Sequence, residues 1–384
     1  MHILEIPSIF LPRGGRFCLD QAKALASHGH EVRILSCVEI GITEMPMMYL
    51  MLPYETKWVV NEGIETLQFY SRRIPKHTRL NNRRWLKKVC SMFNTYVKRY
   101  GKPDVIHVHS VHWAGYAAFL IKKQWNVPYI ITEHSSRAIF EMEFGKGVTD
   151  SWQIPMLKEA LKNASKVIPV SEELVNNLNP LLGDDYNYTA ISNTIDTDYY
   201  KPKERPSSAK YKFVYPAVFF PLKAHDTLFK AFSIVCRELP NVELHLAGKG
   251  TDGKEIKELI KNNGIEDKVL LHGQLNKKEL LSLYYECNCL VHPSRSEAQP
   301  LVCLEAAATG IPFIATESIP KSLRFSPICP IVPIDEVDSL AKEMISMATN
   351  ARRFYPEFHD IVKSIASPEA FAQKFEEVLN EIKQ

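Results

Sequence analysis

The sequence predicts an α/β chain built from two successive doubly wound units, and three observations predict it. Strand-like and helix-like segments alternate over most of the length. A polar, proline-bearing stretch interrupts that alternation near the middle. The 384 residues also exceed the roughly 250–300 at which a single hydrophobic core stops growing. Hydrophobic content of 45% beside 24% charged residues fits packed globular domains, and neither internal repeats nor low-complexity tracts occur.

The first strand is HILEIPSI. Glu5, Pro7 and Pro12 interrupt its apolar run and no basic residue precedes it, so the segment is expected to be a first strand and not a signal peptide. A turn at Gly14 and Gly15, the helical FCLDQAKALASHG and the strand EVRILSC follow. Later come DVIHVHS, a helix around Tyr116 to Gln124, the strand PYIITEHS, a helix near Pro155 to Ala164, and the strand KVIPVS. Strands separated by helices of this length imply a parallel sheet covered on both faces. Residues 187–210 are polar and carry prolines, as a linker does. A second alternation then runs from YKFVYPAVF through DTLFKAFSIVCREL, VELHLAG, KEIKELIKNN, KVLLHG, KKELLSLYYE, NCLVHP and LVCLEAAATG to IPFIAT. The predicted architecture is therefore two Rossmann-like domains facing across a cleft, with ligands at the carboxyl ends of the strands.

No run approaches the ~18 apolar residues of a membrane span. The eight cysteines are irregularly spaced and mostly lie in apolar segments, which suits buried thiols in a reducing, cytoplasmic setting. Cys287, Cys289 and His292 lack a second set of ligands, so no metal site is expected. Net charge is only +3, yet Ser71 to Pro103 hold eleven Lys or Arg and no acid. No nucleic-acid partner is predicted. The basic block at 72–102, with Trp85, Leu86, Met92, Phe93 and Tyr96 interleaved, reads either as a helix lying on an anionic membrane surface or gripping a phosphate-bearing acceptor, or as a solvated helix.

The segment SEAQPLVCLEAAATGIP, from Ser296 to Pro312, carries the most chemistry. Pro300 suits the first helical position, while Gly310 and Pro312 stop the helix. Free N–H groups of the first turn, near Leu301 and Val302, make an anion site. Glu305 lies one turn on, on the face of Leu301, whereas Glu297 sits in the preceding loop. One carboxylate can reach a ribose while the other reaches a sugar; a surface glutamate and a helix-dipole partner are the bland alternatives.

The whole segment resembles the signature of glycosyltransferase family 4, with two glutamates eight positions apart. The likeness extends to GGRFCLDQAKALASHGHEVRIL, DVIHVHS, IITEHSS, ISNTIDTDYYKP, FFPLKAHDTLFKAF, LAGKG and LHGQL. The resemblance implies the GT-B fold and retaining transfer from a nucleotide sugar, UDP- or GDP-linked, to a glycan or lipid-linked acceptor in cell-surface polysaccharide synthesis, with no cofactor or metal required. It implies that Glu297 binds the donor sugar and steadies charge at its anomeric carbon, that Lys223 neutralises the leaving phosphate, and that His134 stands beside the transferred sugar. Glu305 would grip the ribose. Gln299, Leu301 and Val302, around Pro300, would take the diphosphate; Gly273, Gln274 and Leu275 would meet the base. Gly248 and Gly250 would line the cleft, and Gly14 and Gly15 would approach phosphate and acceptor closely. Arg16 and His109 would serve the acceptor, whose wall is the irregular region from Gly41 to Arg84; Asp104, His107 and His112 read as structural. The implied domains are 1–196 for the acceptor, 197–365 for the donor, and 366–384 as a helix returning to the first domain.

The chain departs from the family pattern in one loop. Val218 stands where the family has an arginine five residues before the lysine, and Ala217 and Ala224 replace glycines. Valine offers no bidentate fork to phosphate. Two readings besides active transfer follow: a non-catalytic nucleotide- or glycan-binding subunit, and a GT-B nucleotide-sugar epimerase. Two further matches mislead. GKGTDG spells the dinucleotide fingerprint, but no acidic residue ends the next strand; DTD, from Asp196 to Asp198, spells a metal motif but lies in the linker.

Overall fold

A computed structural model of the chain describes residues 1–135, 152–204, 208–325, 327–350 and 352–383. Ser136, which ends IITEHSS, and residues 205–207 of the linker lie outside them. The chain forms two compact units, one of residues 1–194 with 368–384 and one of residues 195–367.

The first unit is a seven-stranded sheet of β1 (His2–Pro7), β2 (Glu31–Ile40), β3 (Lys57–Asn61), β4 (Ile64–Arg72), β5 (Val105–His109), β6 (Tyr129–Glu133) and β7 (Lys166–Pro169). Its order is β3-β4-β2-β1-β5-β6-β7, parallel except for the β3–β4 pair. β5 and β6 are buried at every position, because helices cover both faces and leave no reason for hydrophobic alternation. The helices are α1 (Arg16–Ser27), α2 (Pro46–Met51), α3 (Thr78–Tyr100), α4 (Tyr116–Trp125), α5 (Ile154–Lys162) and α6 (Glu172–Leu182). The C-terminal helix Pro368–Lys383 belongs to this unit too: Phe371 and Phe375 pack in one cluster with Leu19 and Leu25 of α1.

Two expectations need correction here. The region from Gly41 to Arg84 is not irregular, since β3 and β4 form an antiparallel hairpin within it. Its two-residue loop places Glu62 at φ 45° and Gly63 at φ 89°, the left-handed pair a tight hairpin needs, but Glu-Gly is a weak spelling of that turn. The basic block is the second. Trp85, Met92, Phe93 and Tyr96 of α3 are fully buried, and the Trp85 Nε1–H donates to Cys37 O at 2.6 Å. The apolar stripe is thus core and leaves nothing to insert into lipid. Several cations of the block are also used internally: Arg72 holds carbonyls of the α2 segment, Lys88 reaches Thr56 and Arg99 reaches Glu65. Arg83, Lys87 and Lys98 remain exposed.

The second unit is an all-parallel sheet of β8 (Tyr211–Pro216), β9 (Val242–Ala247), β10 (Val269–Leu271), β11 (Cys289–His292), β12 (Phe313–Thr316) and β13 (Ile331–Val332), in the order β10-β9-β8-β11-β12-β13. Its helices are α7 (His225–Glu238), α8 (Lys254–Asn262), α9 (Lys277–Glu286), α10 (Leu301–Ala308), α11 (Val337–Thr349) and α12 (Phe358–Ala366). α10 begins one residue later than predicted. Pro300 has a helix-compatible φ of −75° but an extended ψ of 105°, so it caps the helix rather than entering it.

Each sheet has one topological switch point. In the first, β1 lies between β2 and β5; in the second, β8 lies between β9 and β11. Chain connections leave those strands in opposite directions, and the loops beyond their carboxyl ends part to form a crevice. Among the described residues no helix is long and apolar enough to cross a membrane.

Candidate active site

In the second unit, loops converge beyond the carboxyl ends of β8, β9, β10 and β11. Gly248 follows β9 at φ 131°, and a Cβ there would overlap the carbonyl oxygen of Ala217, so only glycine lets the two loops touch. Main-chain bonds then lace them: Ala217 N–H donates to Ala247 O, Phe219 N–H to Lys249 O, and Gly248 N–H to Gly273 O at 2.7 Å. The last of these commits the Gly273 carbonyl to the loop itself. Beside the lacing lies a hollow of about 230 Å³, lined by Val218, Gly248, Lys249, Gln274, Leu275 and Val302 among others. Gly250, at φ 85°, turns the same loop without lining the hollow.

The charged centre lies at β11. Glu297, its side chain 7% exposed, accepts hydrogen bonds from Lys223 Nζ at 2.5 Å and from His292 Nε2 at 2.9 Å. Burial pushes its carboxyl up, but His292 and Lys223 outweigh that and hold it at about 2. Glu297 is therefore an anion at any physiological pH, and Lys223 is already seated beside it.

Arg295 keeps Lys223 there. Its guanidinium bonds Asp226 at 2.8 Å and Asp335 at 2.9 Å, and its backbone N–H donates to Leu222 O at 2.8 Å. The short turn Pro221–Lys223 is thus clamped to the loop that carries Glu297. Tyr215 assists by donating to the Lys223 carbonyl at 2.6 Å.

Glu305 sits one turn into α10, partly buried, and accepts from the Tyr284 hydroxyl at 3.0 Å; Tyr200 also donates to it. Two phenols hold an acceptor in place without neutralising it. Leu301 and Val302 supply first-turn N–H groups that have no acceptor within the helix, while Gln299 is 92% buried before them.

In the first unit, Gly15 is required where the loop after β1 folds back. Its φ is 70° and a Cβ would overlap the carbonyl oxygen of Ile9. Gly14, at φ 130°, precedes it, and both lead into α1. Arg16 opens that helix, but its fork is taken by Glu62 at 2.6 and 2.9 Å, so it is not free to meet an acceptor. His109 is likewise withdrawn: it is 1% exposed and both ring nitrogens are engaged. Glu5 Oε2 lies 2.8 Å from His107 Nδ1 and 2.8 Å from His109 Nε2, and His109 Nδ1 lies 3.0 Å from His134 Nε2. Burial pushes the Glu5 carboxyl up against the bond from His109; in its ionised form it sets the protons of the chain that runs through His109 to His134. His109 donates through Nε2, so its Nδ1 accepts from His134 Nε2–H, and His134 Nδ1 keeps a bare lone pair. Burial holds all three imidazoles down at about 3, hence neutral. Phe17 stacks on His134 at 3.8 Å between centroids. His107 and His112 are structural: the first also meets Thr132 at 2.7 Å, the second Gln153 at 2.8 Å. Asp104 accepts from the His2 N–H at 2.8 Å.

Glu5, His107 and His109 also form a set that could hold a metal ion. Their 2.8 Å separations are hydrogen-bond distances, shorter than the roughly 3.3 Å between tetrahedral ligands about a zinc ion. The chemistry of the cluster is proton placement.

Glu133 fixes the loop bearing His134. It is fully buried and accepts from the N–H groups of His134, Ser135 and Val111 at 2.9, 2.9 and 2.7 Å. Burial pushes its carboxyl up to about 7 against those donors. Glu133→Gln would turn an amide N–H toward the Val111 N–H, and urea unfolding at pH 7.5 is expected to show a loss of about 1–3 kcal/mol.

Among the functional residues, His292 was not singled out for a role, although a histidine at a strand end five residues before Glu297 was a usable signal. Glu5, Tyr200, Tyr284 and Arg295 carry no motif. Their parts follow only from packing.

The sequence pattern described as Glycosyltransferase Family 4 matches residues 14–199, and that described as Glycosyl transferases group 1 matches residues 196–322. Among curated proteins, D-inositol 3-phosphate glycosyltransferase of Arthrobacter sp. (strain FB24) is 25% identical over 237 residues, 56% of this chain and 55% of the relative. The chain spans about half the length of the curated relatives it matches first. Among solved structures, sucrose-phosphate synthase from Thermosynechococcus elongatus aligns with a TM-score of 0.78 at 20% identity, covering 100% of this chain and 99% of its own. HepE of Anabaena in complex with UDP and glucose aligns at 0.74 and 16% identity, over 99% and 100%. These likenesses establish the fold, two parallel-sheet α/β domains of the GT-B kind.

Proposed function

Since the chain belongs to glycosyltransferase family 4, we propose that it is a retaining transferase that moves a sugar from a nucleotide-sugar donor, held by the second unit, to a glycan or lipid-linked acceptor held by the first. One observation carries the reading: Glu297, Lys223 and His292 meet at the switch point of the second sheet, and Glu305 stands one turn into the helix that follows Glu297. An ionised Glu297 is suited to steady positive charge at an anomeric carbon. Lys223, already seated beside it and only partly exposed, is suited to swing to a departing diphosphate, the kind of fixed charge that contributes most in transfer reactions. The N–H groups of Leu301 and Val302 suit the same phosphates.

Glu305 suits the ribose hydroxyls, since two tyrosines orient its carboxylate. The hollow beside Gln274 and Leu275 suits a base. HepE was solved with UDP and glucose, so a UDP-sugar is the first donor to try. His134, with a bare Nδ1, suits a hydroxyl of the transferred sugar. The cell-surface setting, and attraction of Arg83, Lys87 and Lys98 to an anionic membrane, belong to this proposal as well.

A nucleotide-sugar panel tests it. Calorimetry should find one nucleoside diphosphate that binds, and Glu305→Ala should weaken it by about 10- to 100-fold, the worth of hydrogen bonds to a charged group. Unchanged affinity in that variant would remove Glu305 from the ribose.

A further inference from the structure

A cavity of about 640 Å³ opens in the first unit beyond the carboxyl ends of β1, β2, β4 and β5. That is the volume of a small-molecule site. None of Glu297, Lys223, Glu5, His109 or His134 lines it. Its wall instead combines Trp113 with Arg13, Glu39, Glu44, Arg73 and Lys76.

Most of this charge is already spent. Glu44 pairs with Arg13 at 3.0 Å and also with Arg73. Glu39 is different. It is 8% exposed, and Arg13 bonds only its main-chain oxygen, at 3.0 Å. Among the described residues no hydrogen bond reaches its carboxyl. Burial holds that carboxyl up at about 7, with Glu44 pushing the same way against Arg73, Arg13 and Arg84.

The opposite wall is held in an unusual backbone. Ser110 and Trp113 have φ of 75° and 56°, conformations that residues with side chains adopt at a cost and that recur at ligand sites. The Trp113 Nε1–H is directed at Gln153 Oε1, 3.3 Å away, so the indole offers the cavity ring surface rather than a donor.

We propose that this cavity binds the terminal pyranose of a neutral glycan acceptor, its ring against Trp113 and its hydroxyls on the Glu39 carboxylate. A buried carboxylate with unused lone pairs is matched by the O–H donors of a sugar, and an aromatic face by its C–H surface. An anionic acceptor fits less well. It would meet Glu39 itself, while Arg13 and Arg73 are both already engaged by the Glu44 carboxylate; among the cations of this wall, only Lys76 has no partner among the described residues. The inference rests on the transferase reading for the word acceptor, but sugar binding is measured without a donor.

Ligand-observed NMR on the full chain, with methyl glycosides and disaccharides of neutral hexoses against hexose 6-phosphates and glucuronate, tests it. Neutral glycosides should bind in the millimolar range. Glu39→Gln and Trp113→Ala should each weaken them by about tenfold or more, with nucleotide affinity unchanged. Glu39→Gln removes a buried carboxyl that has no hydrogen-bond partner among the described residues to lose, so it should fold, and its melting temperature at pH 8 checks this. Preference for the charged sugars, absence of any neutral sugar bound, or wild-type affinity in Glu39→Gln would overturn the proposal. Nucleotide titrations of the same samples keep the two readings apart: if no nucleotide binds, transfer fails while the sugar titration still reports on the cavity.

Discussion

Lys223→Ala should lower sugar transfer, or donor hydrolysis, by on the order of 10²–10³-fold, the loss seen when one preorganised charge or donor is taken from a developing anion. The same change should weaken the fold near neutrality, and the sign follows from Glu297. Its folded-state pKa of about 2 lies below the usual carboxylate range. The Glu297 contribution is therefore present above about pH 4.5 and lost as pH falls through 2, and a shift of that size is worth about 3 kcal/mol. His292 supplies part of it, so Lys223→Ala should cost about 1–2 kcal/mol at pH 7 by urea unfolding. The gap to wild type should narrow as pH approaches 2. Turnover within fivefold of wild type would remove Lys223 from the leaving phosphate, and a pH-independent gap would mean that the alanine acts by packing alone.

That pair also shows what a sequence can carry. Glu297, Lys223 and Glu305 were legible because the helix start that organises them is written in local signals: Pro300 before it, Gly310 and Pro312 after it, and two glutamates eight positions apart across it. The second sheet was legible for a similar reason, since short apolar runs alternate there with amphipathic helices such as α8. The departures have physical causes of their own. The apolar residues of the basic helix α3 have the same 3.6-residue spacing whether they face lipid or a sheet, and only the presence of β2 beneath Trp85 decides. The β3–β4 hairpin was missed because its turn residues are Glu62 and Gly63.

His109 is the more instructive departure. The strand-end motif DVIHVHS singles out its histidines without saying which one is reached by solvent. Burial separates the roles: His109 lies behind, His134 in front, and Glu5 of β1 stands across the β1–β5 pairing from His107, two positions short of His109, whose Nε2 it accepts from. Nothing in HILEIPSI marks that glutamate as a partner of histidines about a hundred residues away. Parallel pairing across the switch point alone brings them together.

The second large effect is expected at Glu5 itself. Glu5→Ala removes the acceptor of the buried His109 Nε2–H, and that orphaned donor costs about 1–3 kcal/mol. With the cavity left behind, thermal and urea unfolding should report a loss of roughly 2–6 kcal/mol. Glu5→Gln is the sharper variant. It keeps the volume but can present an N–H₂ where Glu5 Oε2 now accepts from His109 Nε2–H, and in that orientation His109 must change tautomer to accept. If His109 changes, its Nδ1 gains the proton and His134 must receive rather than donate, which moves the His134 proton to Nδ1 and turns an acceptor toward the substrate into a donor. Histidine ¹⁵N shifts read that exchange directly. Under the proposed role of His134, kcat should fall while the affinity for free nucleoside diphosphate, bound by the second unit, stays at the wild-type value. Equal losses in both would mean that Glu5 supports the fold alone, and wild-type kcat with altered tautomers would take His134 away from the transferred sugar.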